Sequence, residues 1–192
     1  MNTVDPKLRA ELLDLLARHS YFERELVLAS GNRSNYYVDC KRTLYLPQGA
    51  YLAGELMFQL LAADGIEQVG GMATGALPLT DAVIAAAWRH RAAFTGFFVR
   101  REAKPHGLQQ KIEGVVQPGR RTAVIDDTIT TAGSSLEALS ALRQAGVEVT
   151  AAFALVDRAE GAAQAFAASG LLYRWLFTAS EVRSRHAALG HG

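Results

Sequence analysis

The chain has 192 residues, enough for one sizeable hydrophobic core and short for two, and nearly half of them are apolar. With 20 Lys or Arg against 19 Asp or Glu, its net charge near zero excludes a global field for nucleic acid or a membrane surface, so any charged ligand must be met by a local cluster. The single cysteine, Cys40, rules out an internal disulfide, and no paired Cys/His spacing offers a zinc site, so a reducing cytoplasm is the expected compartment.

The first 19 residues carry acids and helical periodicity rather than a basic start and an apolar core, and no run reaches membrane-spanning length, so neither signal peptide nor anchor is expected. Asp5 and Pro6 read as N-cap and first helical position, and Leu8, Leu12, Leu15 and Leu16 then fall on one face. Residues 26–45, LVLASGNRSNYYVDCKRTLY, hold a Ser-Gly-Asn turn signal followed by YYVD, which predicts a small hairpin or irregular antiparallel piece.

Beyond residue 46 the pattern changes. Pro47 opens a helix through Leu61, QVGGMA reads as a short buried strand, Pro78 to Arg89 as a helix, AAFTGFFV as a second strand and TAVI as a third. Ser134 to Gln144 then reads as a helix and VTAAFALV as a fourth strand. Strands alternating with helices of about a dozen residues predict parallel βαβ units and an α/β fold with an open doubly wound sheet, whose ligands bind in the loops that leave the carboxyl ends of the strands. The aromatic residues Trp88, Phe94, Phe97, Phe98, Phe153 and Trp175 are expected in the core.

Three of those loops carry chemistry. In TAVIDDTITTAGSSLEAL, residues 122–139, the chain is expected to leave its strand at Asp126 and Asp127 and then to run through Thr128, Thr130, Thr131, Gly133 and Ser134 into a helix. Unpaired helix N–H groups, the positive dipole end and hydroxyls converging there suit a phosphate. The two acids would repel that anion unless they face something else, such as the hydroxyls of a ribose or a cation bound with the ligand. A sugar phosphate satisfies both halves, although taken singly the acids could merely solvate a strand end and the hydroxyls merely cap a helix. The segment VRREAKPHGLQQKIEG, 99–114, has no hydrophobic period and sets Arg100, Arg101, Lys104, His106 and Lys111 against Glu102 and Glu113, which reads as a basic lid for a highly charged anion. GGMATGALPL, 70–79, is a glycine-rich turn whose N–H groups could approach a second phosphate.

These segments carry a resemblance. VIDDTITTAGSS resembles the phosphoribosyl-pyrophosphate signature of type I phosphoribosyltransferases, and SGNRSNYYVD, RREAKPHG and LVDRAEG resemble, in order, the substrate segment, mobile catalytic loop and strand-end Asp-Arg segment of orotate phosphoribosyltransferases. The resemblance runs from about residue 26 to 161. It implies the type I phosphoribosyltransferase fold: one domain over 1–192, with a small hood mainly within 1–45, a core over about 46–170 and a helical tail over 171–192. It implies transfer of a phosphoribosyl group from phosphoribosyl pyrophosphate to orotate, giving orotidine 5′-monophosphate and pyrophosphate in de novo pyrimidine synthesis. Magnesium would be carried by the pyrophosphate substrate, with no direct protein ligand.

Carried over position by position, the resemblance assigns the ribose hydroxyls to Asp126 and Asp127. It assigns the 5′-phosphate to the loop of Thr128, Ile129, Thr130, Thr131, Ala132, Gly133 and Ser134. Tyr36, Tyr37, Thr130 and Arg158 would meet orotate, and Thr74 would border phosphoribosyl pyrophosphate. Arg100, Arg101, Lys104 and His106 would close over pyrophosphate as part of a lid over 100–113, shared across a homodimer, with Lys104 and His106 stabilising the leaving group. No nucleic acid and no membrane are implied as partners. Ala29 and Thr74 stand where many members carry lysine, Arg101 where lysine is common, and Ala132 where glycine is frequent. Two other readings compete: a phosphoribosyltransferase for a purine or another base, and a regulatory module that senses phosphoribosyl pyrophosphate or a nucleotide.

Overall fold

The computed structural model describes residues 4–27, 33–102 and 111–190. Helix α1, Pro6–His19, starts as its sequence dictates: Asp5 accepts hydrogen bonds from the Lys7 and Leu8 backbone N–H groups at 2.8 and 3.2 Å, and Pro6 needs no donor partner there. Its Leu12 and Leu16 are fully buried. Strands β1, Tyr21–Val27, and β2, Arg33–Val38, then form an antiparallel hairpin that is a sheet of its own, with a register shift between Glu23 and Leu26. A one-turn helix α2, Lys41–Leu44, and the long α3, Pro47–Ala63, bring the chain to the main sheet.

That sheet is built from β3 (Gln68–Met72), β4 (Thr95–Val99), β5 (Ile112–Gly114), β6 (Thr122–Ile129), β7 (Val149–Asp157) and β8 (Leu172–Thr178), in the order β5-β4-β3-β6-β7-β8. Every pairing is parallel except the edge pair β4–β5. Helices α4 (Leu77–Arg89), α5 (Gly133–Gln144), α6 (Ala162–Ala168) and α7 (Ala179–Ala188) complete the chain. Alternation along the strands divides the core between the two faces of the sheet. In β6, Ala123 and Ile125 join the cluster of α1, α3 and α4, whereas Val124 faces Leu139, Leu142 and Phe166 of α5 and α6.

The strand order sets where a ligand can go. From β3 the chain moves outward to β4 and β5, then returns to the other side of β3 as β6 and moves outward again. The order therefore reverses between β3 and β6, which opens a crevice at their carboxyl ends.

Several expectations need correction. The third strand does not stop at TAVI: β6 runs on through Asp126, Asp127, Thr128 and Ile129, paired with β7 at Asp126↔Ala154 and Thr128↔Val156, so the two acids belong to the strand and the loop begins after them. The segment 171–192 is not a helical tail, because LYRWLFT, rich in aromatic residues that suit a pleated surface, forms β8 and only 179–188 is helical. The basic segment 99–114 is not wholly without structure, since Ile112–Gly114 pairs with β4. Trp88 leaves the core altogether at 83 % exposure, and Trp175 on the edge strand β8 is 40 % exposed, whereas Phe97 and Phe153 are buried. No helix among the described residues is long and apolar enough to cross a membrane.

Candidate active site

The crevice between β3 and β6 holds a cavity of about 610 Å3. Tyr37, Thr74, Arg101, Asp126, Asp127, Thr128, Thr130, Ser134 and Arg158 all line it, which brings together residues from five separate stretches of the sequence.

The acids are its floor. Asp126 and Asp127 are buried, and each is held by donors from its own surroundings. Asp126 Oδ1 accepts the Asp127 N–H at 3.0 Å and its Oδ2 accepts the Ser134 hydroxyl at 3.2 Å. Asp127 Oδ1 accepts the Thr128 N–H at 2.7 Å, and its Oδ2 accepts from the Lys41 ammonium at 3.1 Å. Burial and the neighbouring Asp127 charge push Asp126 up to about 7. Burial also raises Asp127, but Lys41 opposes it. The turn after β3 packs directly on this floor: a Cβ on Gly75 would lie 2.7 Å from Asp126 Oδ1, so the close approach needs glycine.

One wall is the N-terminus of α5. Ala132 holds the left-handed conformation at φ 69° and no side chain caps the helix, so the first-turn N–H groups are left to a ligand. Gly133 is exposed and a Cβ there would meet nothing within 4 Å, which leaves an approach to those donors open. Thr131 is exposed beside it. Ile129, counted with this loop from sequence, turns its side chain into the core instead, because it lies in β6 with its carbonyl accepting the Arg158 N–H at 2.9 Å.

The opposite wall comes from the hairpin and the end of β7. The Arg158 guanidinium lies 4.6 Å over the ring of Tyr36, which in turn stacks on Tyr21 at 5.9 Å. Arg158 is buried and pairs with Glu160 at 2.9 Å. Tyr37, next to Tyr36 but on the other face of β2, is 40 % exposed and lines the cavity, whereas Tyr36 does not line it and reaches it only through Arg158. At the mouth, Arg101 is exposed, while Arg100 pairs with Glu113 at 3.1 Å and its N–H donates to the Lys111 carbonyl at 2.7 Å. Lys104, His106 and Ala29 lie outside the described residues.

Two residues of the site escape the sequence reading. Gly75 sits in a turn whose glycines look alike until its contact with Asp126 is seen. Lys41 is 86 positions from Asp127, and the only hint was a Lys-Arg pair directly after YYVDC. Cys40 is fully buried and accepts a hydrogen bond from the Thr128 hydroxyl at 3.3 Å. Burial pushes its thiol well above the usual range, so it stays protonated and is no nucleophile.

Comparison with known proteins agrees with this geometry. No family model matches the chain. Orotate phosphoribosyltransferase of Bradyrhizobium sp. (strain ORS 278) is 42% identical over 177 residues, covering 90% of this chain and 96% of that protein. Among solved structures, Mycobacterium tuberculosis H37Rv orotate phosphoribosyltransferase in complex with Fe(III) dicitrate superposes with a TM-score of 0.80 at 39% identity, covering 91% of this chain and 98% of the other. The same enzyme in complex with 5-phospho-alpha-D-ribosyl 1-diphosphate gives a TM-score of 0.76 at 36% identity and the same coverage. An identity of this size over nearly the whole of both chains, together with the acid strand, the uncapped helix and the Arg158–Tyr36 wall, fixes the assignment: the chain belongs to the orotate phosphoribosyltransferase family.

Proposed function

We propose that this protein transfers the 5-phosphoribosyl group of phosphoribosyl pyrophosphate to orotate, giving orotidine 5′-monophosphate and pyrophosphate in de novo pyrimidine synthesis. The observation that carries the reading is the meeting of two unlike sets of residues in one cavity: an acid pair beside an uncapped helix N-terminus, and Arg158 with Tyr37, the Arg158 guanidinium being laid over the Tyr36 ring. The first suits a phosphorylated sugar, since the helix N–H groups of Gly133 and Ser134 can take the 5′-phosphate while Asp126 and Asp127 accept from ribose hydroxyls. The second suits a planar carboxylate, which an aromatic wall orients and a guanidinium fork binds. A purine offers no carboxylate for Arg158, and a sensor has no use for a second, base-reading wall.

Displacement at the anomeric carbon builds positive charge on the sugar and negative charge on the departing pyrophosphate. Catalysis then depends on positioning and charge stabilisation rather than on a covalent nucleophile. Asp127, held by the Lys41 ammonium, is suited to hold the sugar and to favour charge on its ring. We assign Arg100 and Arg101 to orienting the pyrophosphate and Lys104 and His106 to stabilising it as it leaves, within a lid over 100–113 that excludes water. No protein base is required, because the attacking orotate nitrogen can be anionic already.

Magnesium would supply charge neutralisation on the pyrophosphate oxygens. We assign magnesium to the pyrophosphate of the substrate, since Mg2+ is commonly held through substrate phosphates rather than by an all-protein cage. We further propose a cytoplasmic homodimer in which the lid is shared between subunits. The exposed Tyr45, Tyr51 and Trp88 give such an association apolar surface to cover. Expression in a bacterium that lacks its own orotate phosphoribosyltransferase tests the reading: growth without uracil is the expected result, and continued dependence on uracil with soluble protein present would contradict it.

A further inference from the structure

We propose that Lys41 is a positioning residue of this pocket: its ammonium, bound between Asp39 and Asp127, keeps Asp127 charged and aimed so that it accepts the hydroxyls of the pentose phosphate. The inference rests on the cavity being a phosphoribosyl pyrophosphate site, as argued above.

The geometry is that of a bridge. Lys41 Nζ lies 3.1 Å from Asp127 Oδ2 and 3.5 Å from Asp39 Oδ1, joining the corner between β2 and α2 to the floor of the cavity. Asp39 is itself fixed, its N–H donating to the Ser20 carbonyl at 2.8 Å and its Oδ1 accepting the Lys41 N–H at 3.3 Å. Between two exposed side chains such a pair would contribute little. Here the Asp127 side chain is only 7 % exposed and its neighbour Asp126 is buried as well. Two adjacent buried carboxylates cannot both ionise near neutral pH without a counter-charge.

The charges around Asp127 come from several elements. Asp126 adjoins it on β6 and its charge is felt by Tyr173 of β8; Asp39, Tyr37 and Cys40 stand at the β2–α2 corner, and Arg101 and Arg158 lie on the cavity wall. Burial disfavours charge on Asp127 and Lys41 opposes that most strongly, while burial of Lys41 is itself overridden by Asp127 and Asp39, which hold the ammonium above its usual range. Removing the ammonium takes away the charge that opposes burial, so Asp127 is raised further and its Oδ2 loses the donor that aims it. A protonated carboxyl that spends its proton elsewhere is a poorer acceptor for sugar hydroxyls. Raising the pH ionises it again.

The test is calorimetric binding of ribose 5-phosphate and of inorganic phosphate to the full chain at pH 7 and pH 9, without orotate, so that no turnover intervenes. For Lys41→Gln, ribose 5-phosphate should bind about tenfold more weakly than to the unaltered protein at pH 7 and within about twofold of it at pH 9. Inorganic phosphate, which needs only the helix N-terminus, should be unaffected at both, and Lys41→Arg should bind ribose 5-phosphate like the unaltered protein. An unchanged affinity, an equal loss for both ligands or a loss not recovered at pH 9 would overturn the proposal. Should Lys41→Gln fail to fold, Lys41→Arg decides alone: native-like affinity supports the bridge and a folded variant that has lost ribose 5-phosphate contradicts it. Failure of the unaltered protein to bind ribose 5-phosphate would instead remove the substrate reading, and the inference with it.

Discussion

The guanidinium of Arg158 lies 4.6 Å above the ring of Tyr36, so a residue from the end of β7 and one from the N-terminal hairpin form a single surface. Stacking over the ring fixes the plane of the guanidinium, and with it the direction of its fork. Arg158→Lys keeps the charge and loses both properties. Steady-state kinetics should show the KM for orotate raised about tenfold or more, with the KM for phosphoribosyl pyrophosphate within about threefold of the native value. Tyr36→Ala should act in the same direction, and a change confined to phosphoribosyl pyrophosphate would contradict the assignment.

Asp126 makes stability depend on pH with a sign opposite to that of an ordinary paired carboxylate. Its folded value of about 7 exceeds the ordinary 3.8, so the folded protein holds a proton that the unfolded chain has released. The stabilisation from that proton is complete below about pH 4 and is lost as the pH rises toward 7. Asp126→Asn cannot ionise. Denaturant unfolding should find it more stable than the native protein at pH 7.5, by on the order of 1–3 kcal/mol, with the difference shrinking toward pH 4. Its turnover should nevertheless fall by at least about a hundredfold, since the acid floor is incomplete.

Two glycines of the pocket should respond in opposite ways to one added methyl group. Gly133 begins α5 in open space, so Gly133→Ala should raise stability by about 0.5–1 kcal/mol through the helix preference of alanine. The methyl would stand beside the N–H donors, and the KM for phosphoribosyl pyrophosphate should rise about tenfold even as the melting temperature increases. Gly75→Ala would drive a Cβ to within 2.7 Å of Asp126 Oδ1 and should lower both stability and activity. Melting curves beside kinetics on the two variants separate these cases.

The root of the basic segment is pinned by Arg100 and Glu113, partners 3.1 Å apart on side chains that are 39 and 27 % exposed. A pair so wetted contributes less than about 1 kcal/mol, so Glu113→Gln should hardly change the denaturation midpoint. Lys104→Ala, by contrast, should depress kcat about a hundredfold or more while orotate affinity measured by calorimetry moves much less. Equal effects on the two would count against a leaving-group role for Lys104.

Much of this arrangement was legible in the sequence because it is local. Asp5-Pro6, the TTAGSS run and the alternation of short apolar runs with helical periods each state their structure within a few residues. The boundaries misread are those where distant partners decide. The strand through Asp126 to Ile129 continues because β7 offers it a ladder, and polar residues alone read as a loop. The strand at 172–178 exists because β7 presents a free edge to an aromatic-rich segment. Trp88 is apolar by type but falls on the outer side of α4, which a core expectation based on residue type overlooks. Lys41 could not be matched to Asp127 by any spacing rule, since only the tertiary fold brings the hairpin corner over the floor of the cavity.

The pairing of base and reaction can be tested in a single comparison. The purified protein is mixed with magnesium and phosphoribosyl pyrophosphate, then given orotate, uracil, adenine, hypoxanthine or xanthine separately, and both pyrophosphate release and the nucleotide formed are followed. Release is expected with orotate alone, accompanied by an equal amount of orotidine 5′-monophosphate. Release with another base would contradict the roles of Tyr36 and Arg158 while leaving the acid floor intact, and binding of phosphoribosyl pyrophosphate with no release for any base would contradict the enzyme reading itself.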